Sequence, residues 1–214
     1  MKALLATVVF SLNTVLLIAQ EMHAEADSSN FKRFEAEVSW FTPIGALKNY
    51  MNPTPLFGMW YRSQFSENSI INYGLQLSFP KEHAFEYANA DFNSTTKSLA
   101  GNLGLRLDKA LFKNNAGTRS LNWSTHFGYS FYFYDDVKLR EEYAGWSPKR
   151  KEEEGEPVFI RPFSTFHIGQ SIKLNINNVG LFAQYNYSPY HIFTKVIDRN
   201  FGSQHFNIGI SYRQ

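Results

Sequence analysis

Ser124 and His126 stand two residues apart, so on an extended backbone they share one face, and a serine beside an imidazole is the smallest pairing that can begin acyl transfer or hydrolysis. A working site needs that pair in hydrogen-bond reach and a third group to orient the base. Asn122, Gly128 and Ser130 fall on the same face. Serine and histidine recur there because the face is polar, so no catalytic residue is assigned. Asp135 with Asp136, and His191 with Asp198, can offer metal ligands. They form no compact His or carboxylate motif, and neither a metal nor a cofactor is expected. The chain has no Cys, which removes disulfides, thiol nucleophiles and a lipid-modified cysteine. There is no glycine-rich phosphate cradle.

Charge is distributed in two ways. One set is scattered singly along the chain: Glu35, Glu37, Arg62, Arg106, Asp108, Lys173 and Arg213. The other is a run of mixed sign, Lys149, Arg150, Lys151, Glu152, Glu153 and Glu154, expected to keep a long link solvated and mobile. Its cations can bridge to anionic lipopolysaccharide or to a protein partner. The net charge is only +2, so no field of one sign favours nucleic acid, and no nucleic-acid partner is expected.

The elements that position these groups show in a period of two. Phe34, Ala36, Val38 and Trp40 alternate with Glu35, Glu37 and Ser39. Phe57, Met59 and Tyr61 oppose Gly58, Trp60 and Arg62, and Ile71, Tyr73, Leu75 and Leu77 oppose Asn72, Gly74 and Gln76. The same pattern returns with Leu103, Leu105 and Leu107 against Arg106 and Asp108, and with Trp123, Phe127 and Tyr129 against Ser124 and His126. It continues with Ile168, Ile172 and Leu174 against His167, Ser171 and Lys173, where Gln170 is a polar intruder on the apolar side. Leu181, Ala183 and Tyr185 against Gln184 and Asn186 form the seventh segment, and Phe206, Ile208, Ile210 and Tyr212 against Asn207, Ser211 and Arg213 the last.

Eight segments of membrane-crossing length predict an all-β fold, an eight-stranded antiparallel up-and-down transmembrane β-barrel. Closure is required, because an open edge in hydrocarbon leaves amides and carbonyls unpaired at several kcal/mol per group. Mean hydropathy is −0.34 although 17% of residues are aromatic, so apolar residues are dispersed among polar ones, as alternating strands require.

Residues 1–19 read as an export signal, with Lys2, an apolar middle and a small residue before Gln20; residues 20–32 form a short lead and 33–214 the barrel. Long links at about 43–55, 80–97, 135–158 and 190–203 alternate with short turns. Such sorting sends the long links to the exterior and keeps both chain ends on the periplasmic side. Strand direction then brings the seven scattered charges to one level, the periplasmic half of the lumen. They are expected to form an ion-pair plug, with Glu35 or Glu37 joined to Arg62 and Arg106, since ions in so narrow an interior must be paired.

The 19–20 processing site, the pattern from Phe34 to Arg213 and the closing Phe206 to Tyr212 resemble the small eight-stranded outer-membrane β-barrel proteins, OmpA-like or porin-family barrels of Bacteroidota type. The resemblance implies an integral outer-membrane protein that contacts outer-membrane lipids and lipopolysaccharide and is inserted by the barrel-assembly machinery. It implies a noncatalytic structural or interaction role through the outer links, with an envelope protein as a partner. A small-molecule or lipid carrier or narrow pore is the alternative. A lipid-A-modifying enzyme is less favoured, because the barrel deacylases place His before Ser and here Ser124 precedes His126.

Overall fold

Alternating apolar and polar side chains can satisfy hydrocarbon on one side and a packed interior on the other only if every strand finds two neighbours. The computed structural model, which describes residues 31–80, 85–87, 90–92, 99–193 and 201–214, meets that condition. Eight long strands are β1 (Phe34–Ile44), β2 (Thr54–Ser66), β3 (Ser69–Ser78), β6 (Leu99–Lys113), β7 (Arg119–Asp135), β8 (Ile160–Ile176), β9 (Val179–Tyr187) and β10 (Gln204–Arg213). They close in the order β1-β10-β9-β8-β7-β6-β3-β2, antiparallel throughout. The chain is an all-β, eight-stranded closed barrel. Two short strands, β4 (Phe85–Tyr87) and β5 (Ala90–Phe92), pair separately in the link between β3 and β6.

β1 and β10 seal the cylinder with ten paired positions, from Glu35 opposite Arg213 to Ile44 opposite Gln204. The two ends of the described chain meet there, where Phe34 N–H donates to Gln214 O at 3.1 Å and Gln214 N–H to Phe34 O at 2.9 Å. The short turns share that end. Asn177 takes a left-handed φ of 52° in the two-residue turn to β9, a conformation Asn tolerates and a tight hairpin needs. All four long links leave the barrel from the opposite end.

Burial is inverted relative to a soluble domain. Arg106, Lys173, Gln76, Asn72, Asn186 and Gln184 are fully buried, whereas Val38, Met59, Leu105, Phe127, Ile172 and Ile210 are exposed around the outside. An apolar surface of that extent is stable only against hydrocarbon, so the barrel spans a membrane.

Several links differ from their sequence outline. β1 runs through Pro43 to Ile44 and β2 begins at Thr54, so the first link is shorter than 43–55 and holds a 3-10 turn, Gly45–Asn49. β7 and β8 are each 17 residues long, against 9 for β9. Their hairpin therefore rises above β9 by the length from Ile160 to His167, and Pro162 sits in that unpartnered edge, where a missing N–H costs no ladder bond.

At the tip of this arm the charge run, expected as a solvated link, lies on a short helix and is largely exposed. Helix α1 (Val137–Ala144) starts with Leu139 N–H donating to Asp136 Oδ1 at 3.0 Å. Helix α2 (Pro148–Glu154) has Ser147 as its N-cap, Pro148 in its first turn and Gly155 with φ 71° after its end. Residues 1–30, and with them the export signal and most of the lead, lie outside the described residues, as does Asp198.

Candidate functional site

The lumen is built in three layers, set by which inward positions carry ions, neutral polar groups or rings. The lowest lies near the short-turn end. β1 aims Glu35 and Glu37 inward two residues apart, and both are buried. Their two short ionic partners come from strands that are not neighbours of β1, so those contacts cross the barrel. Arg106 of β6 reaches Glu35 Oε1 through Nη2 and Glu37 Oε1 through Nη1, both at 2.5 Å. Lys173 of β8 meets the same two oxygens at 2.5 and 2.7 Å. Trp60 Nε1–H donates to Glu37 Oε2 at 2.6 Å, and the Arg106 guanidinium lies 4.7 Å over the Trp60 ring.

All seven scattered charges gather in this layer, with a division of labour the sequence did not show. Arg106 and Lys173 hold both glutamates. Arg62 and Arg213 stand 3.9 and 3.8 Å from Glu35 Oε2, and Asp108 lies 3.0 Å from Arg106 Nε. The expected partnership of Arg62 with the glutamates is thus the long contact and Lys173 the short one. Room for the cluster comes from small inward residues: a Cβ on Gly58 would sit 3.2 Å from Glu37 Oε2, and one on Gly180 3.3 Å from Lys173 Cδ.

The middle layer is neutral and polar. His126 Nε2 lies 3.0 Å from Ser171 Oγ on the neighbouring strand, and Gln184 Nε2 lies 3.4 Å from His126 Nδ1. Ser124 Oγ makes no hydrogen bond with a described group. The Ser124–His126 pairing considered from the sequence is therefore not formed, because the imidazole turns across the ladder to Ser171. His167 Nδ1 lies 3.0 Å from Ser188 Oγ, and the His167 and His205 rings stack at 6.1 Å. Among the described residues no group of three or more His, Cys, Asp or Glu can hold a metal ion. His191 lies in the 3-10 turn Tyr190–Ile192, and Asp136 is engaged as the α1 cap.

Toward the long links the interior becomes apolar. Phe41, Leu47, Met51, Leu56, Ala100, Tyr132, Phe163, Tyr190 and Phe201 form one buried cluster. Phe163 packs edge-on against Tyr190 at 5.1 Å and Phe201 at 5.5 Å, and Tyr50 stacks on Phe201 at 4.8 Å. Tyr190 is tied to the wall by a 2.6 Å hydrogen bond with Ser130 Oγ, and burial pushes its hydroxyl up to about 12. Two links fold inward to make this cap. The space beneath it is about 10 Å³, room for no more than about one water.

No family model matches the chain, and no curated protein does. Among the solved proteins that resemble it are the following two. The attachment invasion locus protein Ail of Yersinia pestis is 13% identical, over 86% of this chain and 97% of that one, with a TM-score of 0.45. Neisserial surface protein A is 12% identical, over 85% and 96%, with a TM-score of 0.48.

Among the described residues, His126 and Ser171 lie in the lumen between the ion layer below and the rings above. The remaining candidate residues are on the arm. Arg150 Nε pairs with Glu154 Oε1 at 2.8 Å and its guanidinium stacks 3.8 Å over Trp146. Lys149 faces Glu153 at 3.9 Å, Lys151 lies 5.0 Å over Tyr143, and Glu152 is exposed. These i,i+4 pairs leave the helix folded and its charges presented to solvent. The residues missed from the sequence are the cap: Leu47, Met51, Tyr190 and Phe201. Their signal was apolar side chains in links that otherwise read as polar.

Proposed function

We propose that this chain is a noncatalytic protein of the bacterial outer membrane, of the small eight-stranded kind that includes OmpA-like barrels and those of Bacteroidota, and that it acts through its outward links. One observation carries the reading: the interior is filled across its width by Arg106, Lys173, Glu35 and Glu37 and again by the Phe163–Tyr190–Phe201 rings. A barrel closed twice has only its outer surfaces for work. The outward arm, with Lys149, Arg150 and Lys151 on α2, suits contact with lipopolysaccharide phosphates or with an acidic envelope partner. Export through residues 1–19 and insertion by the barrel-assembly machinery, reading Phe206 to Tyr212, complete this account.

The test is a planar bilayer containing lipopolysaccharide in one leaflet. The purified protein is expected to give no stable conductance. Substituting Lys149, Arg150 and Lys151 together by Gln is expected to weaken its retention on lipopolysaccharide vesicles several-fold without unfolding the barrel. A steady large conductance, or unchanged retention, overturns the reading.

A further inference from the structure

The outward row of β8 runs Ile168, Gln170, Ile172, Leu174, and Gln170 breaks it with a primary amide. It stands directly opposite Thr125 on β7 and Tyr185 on β9. The same ladder ends at Ile176 opposite Val179, six positions nearer the short turns. At about 3.3 Å per residue and a tilt of about 40°, those positions lift the amide about 15 Å into an apolar band about 25 Å tall. Gln170 is exposed at that depth, and so are Trp123, Phe127, Ile168, Ile172 and Tyr185 around it.

Among the described residues the amide has one hydrogen bond, accepted by Oε1 from the Thr125 hydroxyl at 3.2 Å. Its Nε2 hydrogens reach no described acceptor, and Oε1 keeps a second lone pair. Acyl chains offer neither donor nor acceptor, so this half of the amide is costly where it stands. Two small residues flank it, Thr125 itself and Ala183, which faces Ile172. In membranes small residues let two backbones approach closely, and polar side chains then bond across the contact.

We propose that the outer face of β7, β8 and β9 is an interface between two copies of this chain in the bilayer, related by a twofold axis at Gln170. Each Gln170 Nε2–H donates to Oε1 of the other copy, and Thr125 keeps its own bond to the same oxygen. The two amides thereby supply each other with the partner that hydrocarbon lacks. A second copy is the occupant because a twofold contact brings a residue against itself, and a primary amide is complementary to its own duplicate. The surrounding apolar side chains pack against their counterparts as they pack against lipid, so the amide pair decides where the two barrels meet. One such pair makes a reversible dimer, populated at high protein density and dissociated when the protein is dilute.

The experiment is sedimentation equilibrium of the purified protein in density-matched detergent micelles at several protein-to-detergent ratios. The parent is expected to show a reversible monomer–dimer equilibrium. Gln170→Leu, which puts an apolar side chain at a lipid-facing position and leaves the barrel folded, is expected to weaken it at least fivefold. The face is located by oxidative cross-linking of single cysteines, which the chain permits because it has no Cys of its own. Ile168→Cys, beside the axis, is expected to cross-link in vesicles, and Met59→Cys, exposed on β2 across the barrel, is not. A parent that stays monomeric at every ratio, a Gln170→Leu dimer weakened less than fivefold, or cross-linking of Met59→Cys that equals that of Ile168→Cys overturns the proposal.

Discussion

Thr125 on β7 and Gln170 on β8 are directly opposite each other on the outer face, and the Thr125 hydroxyl donates to Gln170 Oε1 at 3.2 Å. Each interrupts an apolar surface, and each supplies what the other lacks. In hydrocarbon an unpartnered amide or hydroxyl has no water to turn to. Measured couplings of this kind in membranes average about 0.6 kcal/mol and reach about 1.7. Thr125→Val is therefore expected to lower the unfolding free energy in lipid vesicles by about 1 kcal/mol, and adding Gln170→Leu to restore most of it. Additive losses in the double-mutant cycle would show that the two side chains are not coupled.

Leu105 and Ile210 test the faces directly, since both are exposed on the outside, at 47% and 56%. Arg at either position is expected to cost about 2 to 4 kcal/mol near mid-bilayer. The reading is by urea titration in vesicles, with parent-like stability as the contrary result.

Removing Arg106 separates stability from occlusion. Arg106→Met leaves Glu35 and Glu37 buried with Lys173 as their remaining short ionic contact and Trp60 Nε1–H still donating to Glu37. Breaking a buried ion pair from one side costs about 3 to 5 kcal/mol, and the persisting Lys173 places the loss near the lower end. The barrel should still carry no current, because the Tyr190–Phe201 cap stands. Current is expected only when Arg106→Met is combined with Tyr190→Ala and Phe201→Ala. Bilayer recordings of the single and combined variants decide it, and conduction by Arg106→Met alone would place the seal wholly in the ion layer.

The strands and their faces were legible because a period of two needs no knowledge of the partner: Val38, Leu105 and Ile210 point outward whichever strand pairs with theirs. The gathering of Glu35, Glu37, Arg106 and Lys173 followed from strand direction and count. Which cation reaches which carboxylate did not, because contacts across a barrel depend on its stagger, which no local pattern encodes. The α2 boundaries were written in Ser147, Pro148 and Gly155, but the charge run between them reads equally as a solvated link. For the cap the sequence offered no period at all. Leu47, Met51, Tyr190 and Phe201 come from separate links and meet only after the barrel has brought those links over its mouth.

Tyr190 ties that cap to alkaline stability. Its hydroxyl rises from an ordinary value near 10 to about 12 because burial disfavours the phenolate. A folded value above the unfolded one means that the contribution is complete below about pH 10 and is lost as pH climbs through 12. Between those limits the parent should lose up to about 2 to 3 kcal/mol more than Tyr190→Phe, at about 1.4 kcal/mol per unit. Unfolding in vesicles at pH 9, 10, 11 and 12 makes the comparison, and parallel curves for parent and variant would show that the phenol is not buried.

Gly202 controls whether the cap can close. Its φ of 86° is one that L side chains rarely adopt, and a Cβ there would lie 2.8 Å from the Leu47 Cα, within the 3-10 turn that Phe201 packs beside. Both the backbone conformation and the close approach therefore oppose any larger residue. Gly202→Val is expected to cost about 1 to 3 kcal/mol at this position and to lift Phe201 from the cluster while the strand ladders persist. Protease added to the long-link side of vesicles should then cut the Gly202→Val protein faster after the ninth strand than it cuts the parent. The parent barrel core and the variant core should survive equally. Equal cutting rates in the link would mean that Leu47 and Phe201 stay packed without the glycine, and the close approach would not be what holds the cap shut.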